Sequence, residues 1–133
     1  MNAESVWYVD SSAIVKLVAV EQETPALSRF LEGRQPLVSS GLASTEVRRA
    51  VLPLGDKFLR QARDVLARFE LVRVSDEVLE DAGRLEPLSL RSLDAIHLAT
   101  AALFGSTLGG VISYDRRMRN AALSYGWSVH APA

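Results

Sequence analysis

The sequence predicts an α/β fold, a three-layer α/β/α arrangement around a central parallel sheet of about five short strands. Three observations predict it. Short apolar runs alternate with helical patterns along the whole chain, the order expected of βαβ units. The runs lack polar alternation, as in strands buried on both faces. The stretch Ala95-Ile96-His97-Leu98-Ala99-Thr100-Ala101-Ala102-Leu103 is nearly apolar all round, and its alanines let a helix lie close against a sheet.

The elements follow in order. Val6-Trp7-Tyr8-Val9 is apolar, aromatic and β-branched, so it reads as the first strand, and a short helix over 12–18 follows Asp10. Thr24-Pro25 signals a helix start with Thr24 as cap, Leu27, Phe30 and Leu31 form its apolar face, and Gly33 stops it. Residues 36–40 read as the second strand. Gly41 breaks it, and a helix over 42–52 ends at Pro53. Asp56 is placed to cap the next helix, whose stripe is Leu59, Ala62, Leu66 and Phe69. Residues 71–74 make a third strand. Ser75 caps a helix with acids in its first turn and Leu79, Ala82 and Leu85 on its face. After a connector over 86–90, Ser92 is placed to cap the apolar helix, which Gly105 stops. A fourth strand over 110–115 ends in Asp115. A helix to about Tyr125, a turn at Gly126 and a last strand over 127–129 complete the chain.

At 133 residues, with 48% hydrophobic and 23% charged residues, the chain reads as one soluble globular domain, 1–133, without repeat or linker. No segment approaches the roughly 18 unbroken apolar residues of a membrane span. The start, Met1-Asn2-Ala3-Glu4-Ser5, has no basic region ahead of an apolar stretch, so no signal peptide is expected. The absence of cysteine excludes disulfides, thiolate zinc sites and thiol catalysis, and fits a reducing, cytoplasmic setting. Net charge is −1, but almost all the positive charge is arginine. Arg48, Arg49, Arg91, Arg116, Arg117 and Arg119 lie close in sequence to Glu46, Asp94 or Asp115. Such a local basic rim binds phosphates without a basic pI, although solvation of helix faces explains any single arginine as well.

Sites in open α/β sheets form beyond the carboxyl ends of the strands. Asp10 and Asp115 each follow a strand, Asp94 lies in the first turn of the apolar helix, and Glu46 lies one turn into the helix after the second strand. Each also has a plain structural reading. Asp10 and Asp115 suit helix caps, Asp94 complements a helix dipole, and Glu46 suits an ion pair with Arg49. Taken together, carboxylates sharing one edge repel one another and need a cation. An all-oxygen donor set selects Mg²⁺ or Mn²⁺ over zinc. His97 reads as a satisfied core histidine and His130 as structural or exposed. There is no G-x-S-x-G elbow and no Walker-type phosphate loop, so metal-activated water is the remaining nucleophile.

Asp10-Ser11-Ser12-Ala13-Ile14-Val15-Lys16-Leu17, the helical Glu46, Ser92-Leu93-Asp94-Ala95-Ile96-His97-Leu98-Ala99-Thr100-Ala101 and Ser113-Tyr114-Asp115 together resemble the PIN-domain proteins. The resemblance spans the chain and is strongest to the VapC-type ribonuclease toxins of type II toxin–antitoxin systems. It implies a PIN-like fold and a Mg²⁺- or Mn²⁺-dependent endoribonuclease, usually dimeric. Asp10, Glu46, Asp94 and Asp115 match the family's acidic quartet, and Ser12 matches a hydroxyl near the site. Ser113 stands where the family often has threonine. The resemblance further implies a cognate antitoxin and RNA as substrate, with transfer RNA as a family-level candidate. Arg48, Arg49, Arg116 and Arg117 are then the residues expected to steer the phosphate backbone. Two other functions compete. One is a non-catalytic PIN-like interaction module, which has no need of four acids. The other is a phosphatase with Asp10 as nucleophile, whose usual second acid two residues on is replaced here by Ser12.

Overall fold

The computed structural model describes residues 5–133; positions 1–4 of the stretch expected not to be a signal peptide lie outside the described residues. Five parallel strands form one sheet in the order β3-β2-β1-β4-β5. They are β1 (Val6–Val9), β2 (Leu37–Ser40), β3 (Glu70–Val72), β4 (Leu108–Ile112) and β5 (Val129–His130). Helices α1 (Ser11–Val18), α2 (Thr24–Leu31), α3 (Leu42–Val51) and α4 (Asp56–Leu66) make the crossovers through β3. Helices α5 (Asp76–Ala82), α6 (Ser92–Ala102) and α7 (Arg116–Ser124) make those through β5, and 3-10 turns occupy Leu52–Leu54 and Gly105–Thr107. This is the expected three-layer α/β/α arrangement of a PIN-like fold.

Strand geometry divides the core by alternation. In β1, Val9 faces α1–α4 and packs with Leu37, Ile112, Ile14, Leu27 and Val47. Its neighbour Tyr8 faces the other way, in register with Val38 of β2 and Val111 of β4, and this row meets Ala101 of α6. Ala101 is fully buried, so its short side chain sets how closely the helix approaches the sheet. Leu98 then joins α6 to Met118, Ala121 and Ala122 of α7. Each fully buried aliphatic side chain stabilises the fold by roughly 1.5–3 kcal/mol.

Several boundaries differ from the sequence reading. Strand β4 begins at Leu108 and stops before Ser113, so Ser113-Tyr114-Asp115 is a loop at the strand's end. The start is two residues earlier than the reading because Leu108 and Gly109 also belong to the strand. A Cβ on Gly109 would lie 2.7 Å from Ser5 Cβ, and one on Gly110 would lie 3.1 Å from the His130 ring. Strand β3 likewise starts at Glu70 and ends at Val72, where the Gly41 N–H donates to the Val72 carbonyl at 2.7 Å. Thr24, Asp56 and Ser92 are first helical residues rather than caps, which are Glu23, Gly55 and Arg91. On α5 the core residue is Val78, while Leu79 is exposed, because the short helix presents a single narrow face to α6. His130 is half-buried against Phe30, with ring centroids 4.8 Å apart. No described helix is long and apolar enough to cross a membrane.

Candidate active site

The two halves of the sheet are wound in opposite directions from β1 and β4, so the crevice beyond their carboxyl ends is the topological switch point. Asp10 leaves β1 there, and its N–H continues the ladder to the Ile112 carbonyl at 3.1 Å. The carboxyl is only 2% exposed. Its Oδ1 accepts the Ser12 hydroxyl at 2.6 Å and the Ala13 N–H at 3.2 Å, and its Oδ2 accepts the Ser113 hydroxyl at 2.6 Å. Burial pushes the Asp10 carboxyl above the ordinary range, and the bonds from Ser113, Ser12 and Ala13 with nearby His97 only partly offset it.

The two serines do more than hold one carboxylate. Ser12 Oγ also accepts the Tyr114 N–H at 2.9 Å, and Ser113 Oγ accepts the Asp115 N–H at 3.0 Å. The β1 and β4 exits are thus stitched to each other through Asp10. Asp115 caps α7 by accepting the Met118 N–H at 3.0 Å. The cap readings of Asp10 and Asp115 therefore hold as local structure, and both residues remain at the switch-point edge.

Glu46 does not pair with Arg49. Its Oε1 accepts the Ser11 hydroxyl at 2.6 Å and lies 2.6 Å from His97 Nε2. Burial raises the Glu46 carboxyl, but the bonds from His97 and Ser11 and the proximity of His97 outweigh it and leave the group below its ordinary range. Asp94, half-buried in the first turn of α6, is pushed upward by burial and then by the charge of Asp115. Asp10 and Glu46 push it the same way, and a positive charge on His97, in its protonated form, opposes them. Asp94 thus experiences the other three acids together.

Among the described residues no lysine or arginine pairs with Asp10, Glu46, Asp94 or Asp115. Lys16, the nearest lysine in sequence to Asp10, instead bonds Glu21 and Glu23 at 2.9 and 3.1 Å. The donor set is all oxygen and uncompensated, which suits a hard divalent cation. Among the described residues, no three His, Asp or Glu side chains gather tightly enough to enclose an ion as they stand.

The arginines separate into two kinds. Arg48 bonds the Ser44 carbonyl and hydroxyl at 2.9 and 2.6 Å, within its own helix. Arg49, Arg116 and Arg117 are exposed. Arg117 borders an open groove of about 560 Å³ with Ser89, Asn120 and Tyr125. Three participants escaped the sequence reading in this role: Ser11, the contact of His97 with Glu46, and Tyr8, whose hydroxyl lies 2.7 Å from His97 Nδ1. The available signals were the second hydroxyl of the Asp-Ser-Ser run and the placement of His97 one turn after Asp94.

A family model described as PIN domain matches residues 7–123. Over 126 residues the chain is 52% identical to Ribonuclease VapC46 of Mycobacterium tuberculosis, covering 95% of this chain and 97% of that protein. It is 36% identical to Ribonuclease VapC35 of the same species over 129 residues, covering 94% and 96%. Among solved structures, VapC20 of M. tuberculosis, described as a Sarcin-Ricin loop cleaving toxin, superposes with a TM-score of 0.75 at 16% identity, covering 95% of this chain and 99% of that one. A chain of a toxin–antitoxin complex from Klebsiella pneumoniae superposes with a TM-score of 0.73 at 21% identity, covering 98% of each. Both structural likenesses concern the fold.

Proposed function

The chain belongs to the PIN-domain family, and from that membership we propose that it is a divalent-metal-dependent endoribonuclease, the toxin of a toxin–antitoxin pair. One observation carries the mechanistic part: none of the four acids has a lysine or arginine partner among the described residues, and the Asp94 carboxyl is pushed upward by burial and then by the charges of Asp115, Asp10 and Glu46. Such a group favours a cation over its own empty state.

Asp10, Glu46, Asp94 and Asp115 are the residues that would hold Mg²⁺ or Mn²⁺. When bound, the ion supplies a water of lowered pKa and charge stabilisation for the leaving oxygen. The chain's own residues do the rest. Ser12 and Ser113 fix both Asp10 oxygens. Ser11 and His97 hold one oxygen of Glu46 and leave Oε2 without a protein partner among the described residues. Arg116 and Arg117, on the first turn after Asp115, and Arg49, near Glu46, are exposed and suited to the phosphate backbone. Arg48 serves that role only by releasing Ser44.

The substrate is RNA. Transfer RNA is the first class to test, and a structured loop of the kind cleaved by the structural neighbour VapC20 is the second. A small antitoxin protein is the partner; the Klebsiella neighbour is a chain of a toxin–antitoxin complex. A single domain over 1–133, a homodimer and a cytoplasmic location complete the proposal.

The test is expression with and without the product of the adjacent small gene, followed by mapping of RNA ends. Growth arrest relieved by that product, with cuts at a defined site that need Mn²⁺ or Mg²⁺, is expected. Full cleavage in a folded Asp10→Asn protein overturns the mechanism.

A further inference from the structure

We propose that Tyr8 and His97 form a buried relay that positions Glu46. The Tyr8 hydroxyl sits 2.7 Å from His97 Nδ1, and His97 Nε2 sits 2.6 Å from Glu46 Oε1. Tyr8 is 1% exposed and His97 2% exposed, so neither group has water as an alternative partner. Such a group left unpaired has no way to recover its hydrogen bond, so each keeps its partner.

The direction of the chain follows from donor chemistry. A carboxylate only accepts, so the proton between His97 and Glu46 belongs to Nε2. A neutral imidazole with Nε2–H offers Nδ1 as an acceptor, and the Tyr8 hydroxyl supplies the donor. At 2.7 Å one of the two atoms must donate, and with Nδ1 unprotonated that atom is the phenol oxygen, whose O–H points at the ring. Tyr8 therefore selects the tautomer, and the tautomer grips Glu46. The ring is also held from the side, its centroid 6.0 Å from that of Tyr8 at 80°.

The anchor is rigid at every step. Tyr8 is in the middle of the sheet, in register with Val38 and Val111. His97 lies three residues after Asp94 on α6, so one helix carries an acid and the group that orients another acid on α3. Ser11, the first residue of α1, donates to the same Glu46 oxygen, while its neighbour Ser12 donates to Asp10. The two serines and the imidazole thus set the relative placement of two carboxylates on different elements. Partners of this kind around a metal ligand typically carry about ten- to hundredfold in affinity or activity.

The proposal rests on the metal-dependent reading above, and the test separates the two. Mn²⁺ binding to the purified protein without RNA is measured by calorimetry for wild type, His97→Leu, His97→Gln and Tyr8→Phe. His97→Leu is expected to weaken binding about 10- to 100-fold. His97→Gln, which restores an N–H near the Nε2 position, recovers most of the loss, and Tyr8→Phe falls between. Cleavage assays show kcat reduced with KM unchanged. In the metal-free wild type, imidazole ¹⁵N resonances report the Nε2–H tautomer with Nδ1 as acceptor. An Nδ1–H tautomer, wild-type Mn²⁺ affinity in folded His97→Leu, or no recovery in His97→Gln overturns the relay. Should His97→Leu fail to fold, Tyr8→Phe with wild-type affinity and kcat overturns it instead. A wild-type protein with the Nε2–H tautomer that binds no Mn²⁺ overturns the parent reading, and the relay's metal role with it.

Discussion

Ser113 and Asp10 lie 103 positions apart in sequence and are joined at 2.6 Å, hydroxyl to Oδ2. The same serine oxygen accepts the Asp115 N–H at 3.0 Å. One hydroxyl therefore ties a buried carboxylate to the backbone that presents another.

Ser113→Ala removes that donor and strands two groups. Ser113 is fully buried, so water does not replace it. A loss of about 1–3 kcal/mol in stability is expected from denaturant unfolding, together with a fall in cleavage of about 10-fold or more. Unchanged stability would show that Asp10 finds another donor.

Asp10→Asn separates chemistry from folding. The amide keeps the shape and the Oδ1 contacts to Ser12 and Ala13 and removes a buried charge. Cleavage should fall by at least ~100-fold, beyond what an orienting partner is worth. The melting temperature should hold or rise.

The same shift gives a pH dependence with a definite sign. A carboxyl whose folded pKa lies above its ordinary 3.8 binds its proton more tightly folded than unfolded. Its contribution to stability therefore declines as pH rises from near 3.8 through the folded value. Glu46 is shifted the other way, and its contribution is lost as pH falls. The test compares melting temperature against pH for wild type and Asp10→Asn in chelator. The difference between them should grow in favour of the variant as pH rises, and added Mn²⁺ should raise the wild-type value more at neutral pH than at acid pH. Parallel curves would remove Asp10 as the cause.

Arginine roles can be sorted by salt. Arg116→Ala and Arg117→Ala should each reduce the slope of log affinity for single-stranded RNA against log salt by about 0.7. Arg48→Ala should leave the slope closer to wild type and lower stability, because its contacts are with Ser44. Filter binding of Asp10→Asn-background proteins across salt concentrations decides this.

Packing on the other face of the sheet gives a separate test of stability. Ala101→Leu adds bulk where α6 meets Tyr8, Val38 and Val111. It should cost about 1–3 kcal/mol, read from thermal unfolding.

The fold was legible because period and punctuation agree along the chain. Apolar strands, Gly33, Gly41, Gly105 and Gly126 mark its order, and the all-apolar helix marks the inner layer. Boundaries were less legible. The fourth strand as read began at Gly110 and left out Leu108 and Gly109, yet Gly109 lies within it, where Ser5 and Trp7 approach too closely for a side chain. At the site, the sequence pointed to four acids at one edge, because two strands end alike. What it hid was partnership across distance: Glu46 suited Arg49 by helical spacing, whereas the fold delivers His97 and Ser11 from two other helices. Local spacing says nothing of such neighbours.

The outermost strands are also the shortest, three residues in β3 and two in β5. Borders this brief offer an incoming chain almost no free backbone to zip onto. Recruitment by a donated strand, a common way for one protein to capture another, finds little purchase on edges of three and two residues.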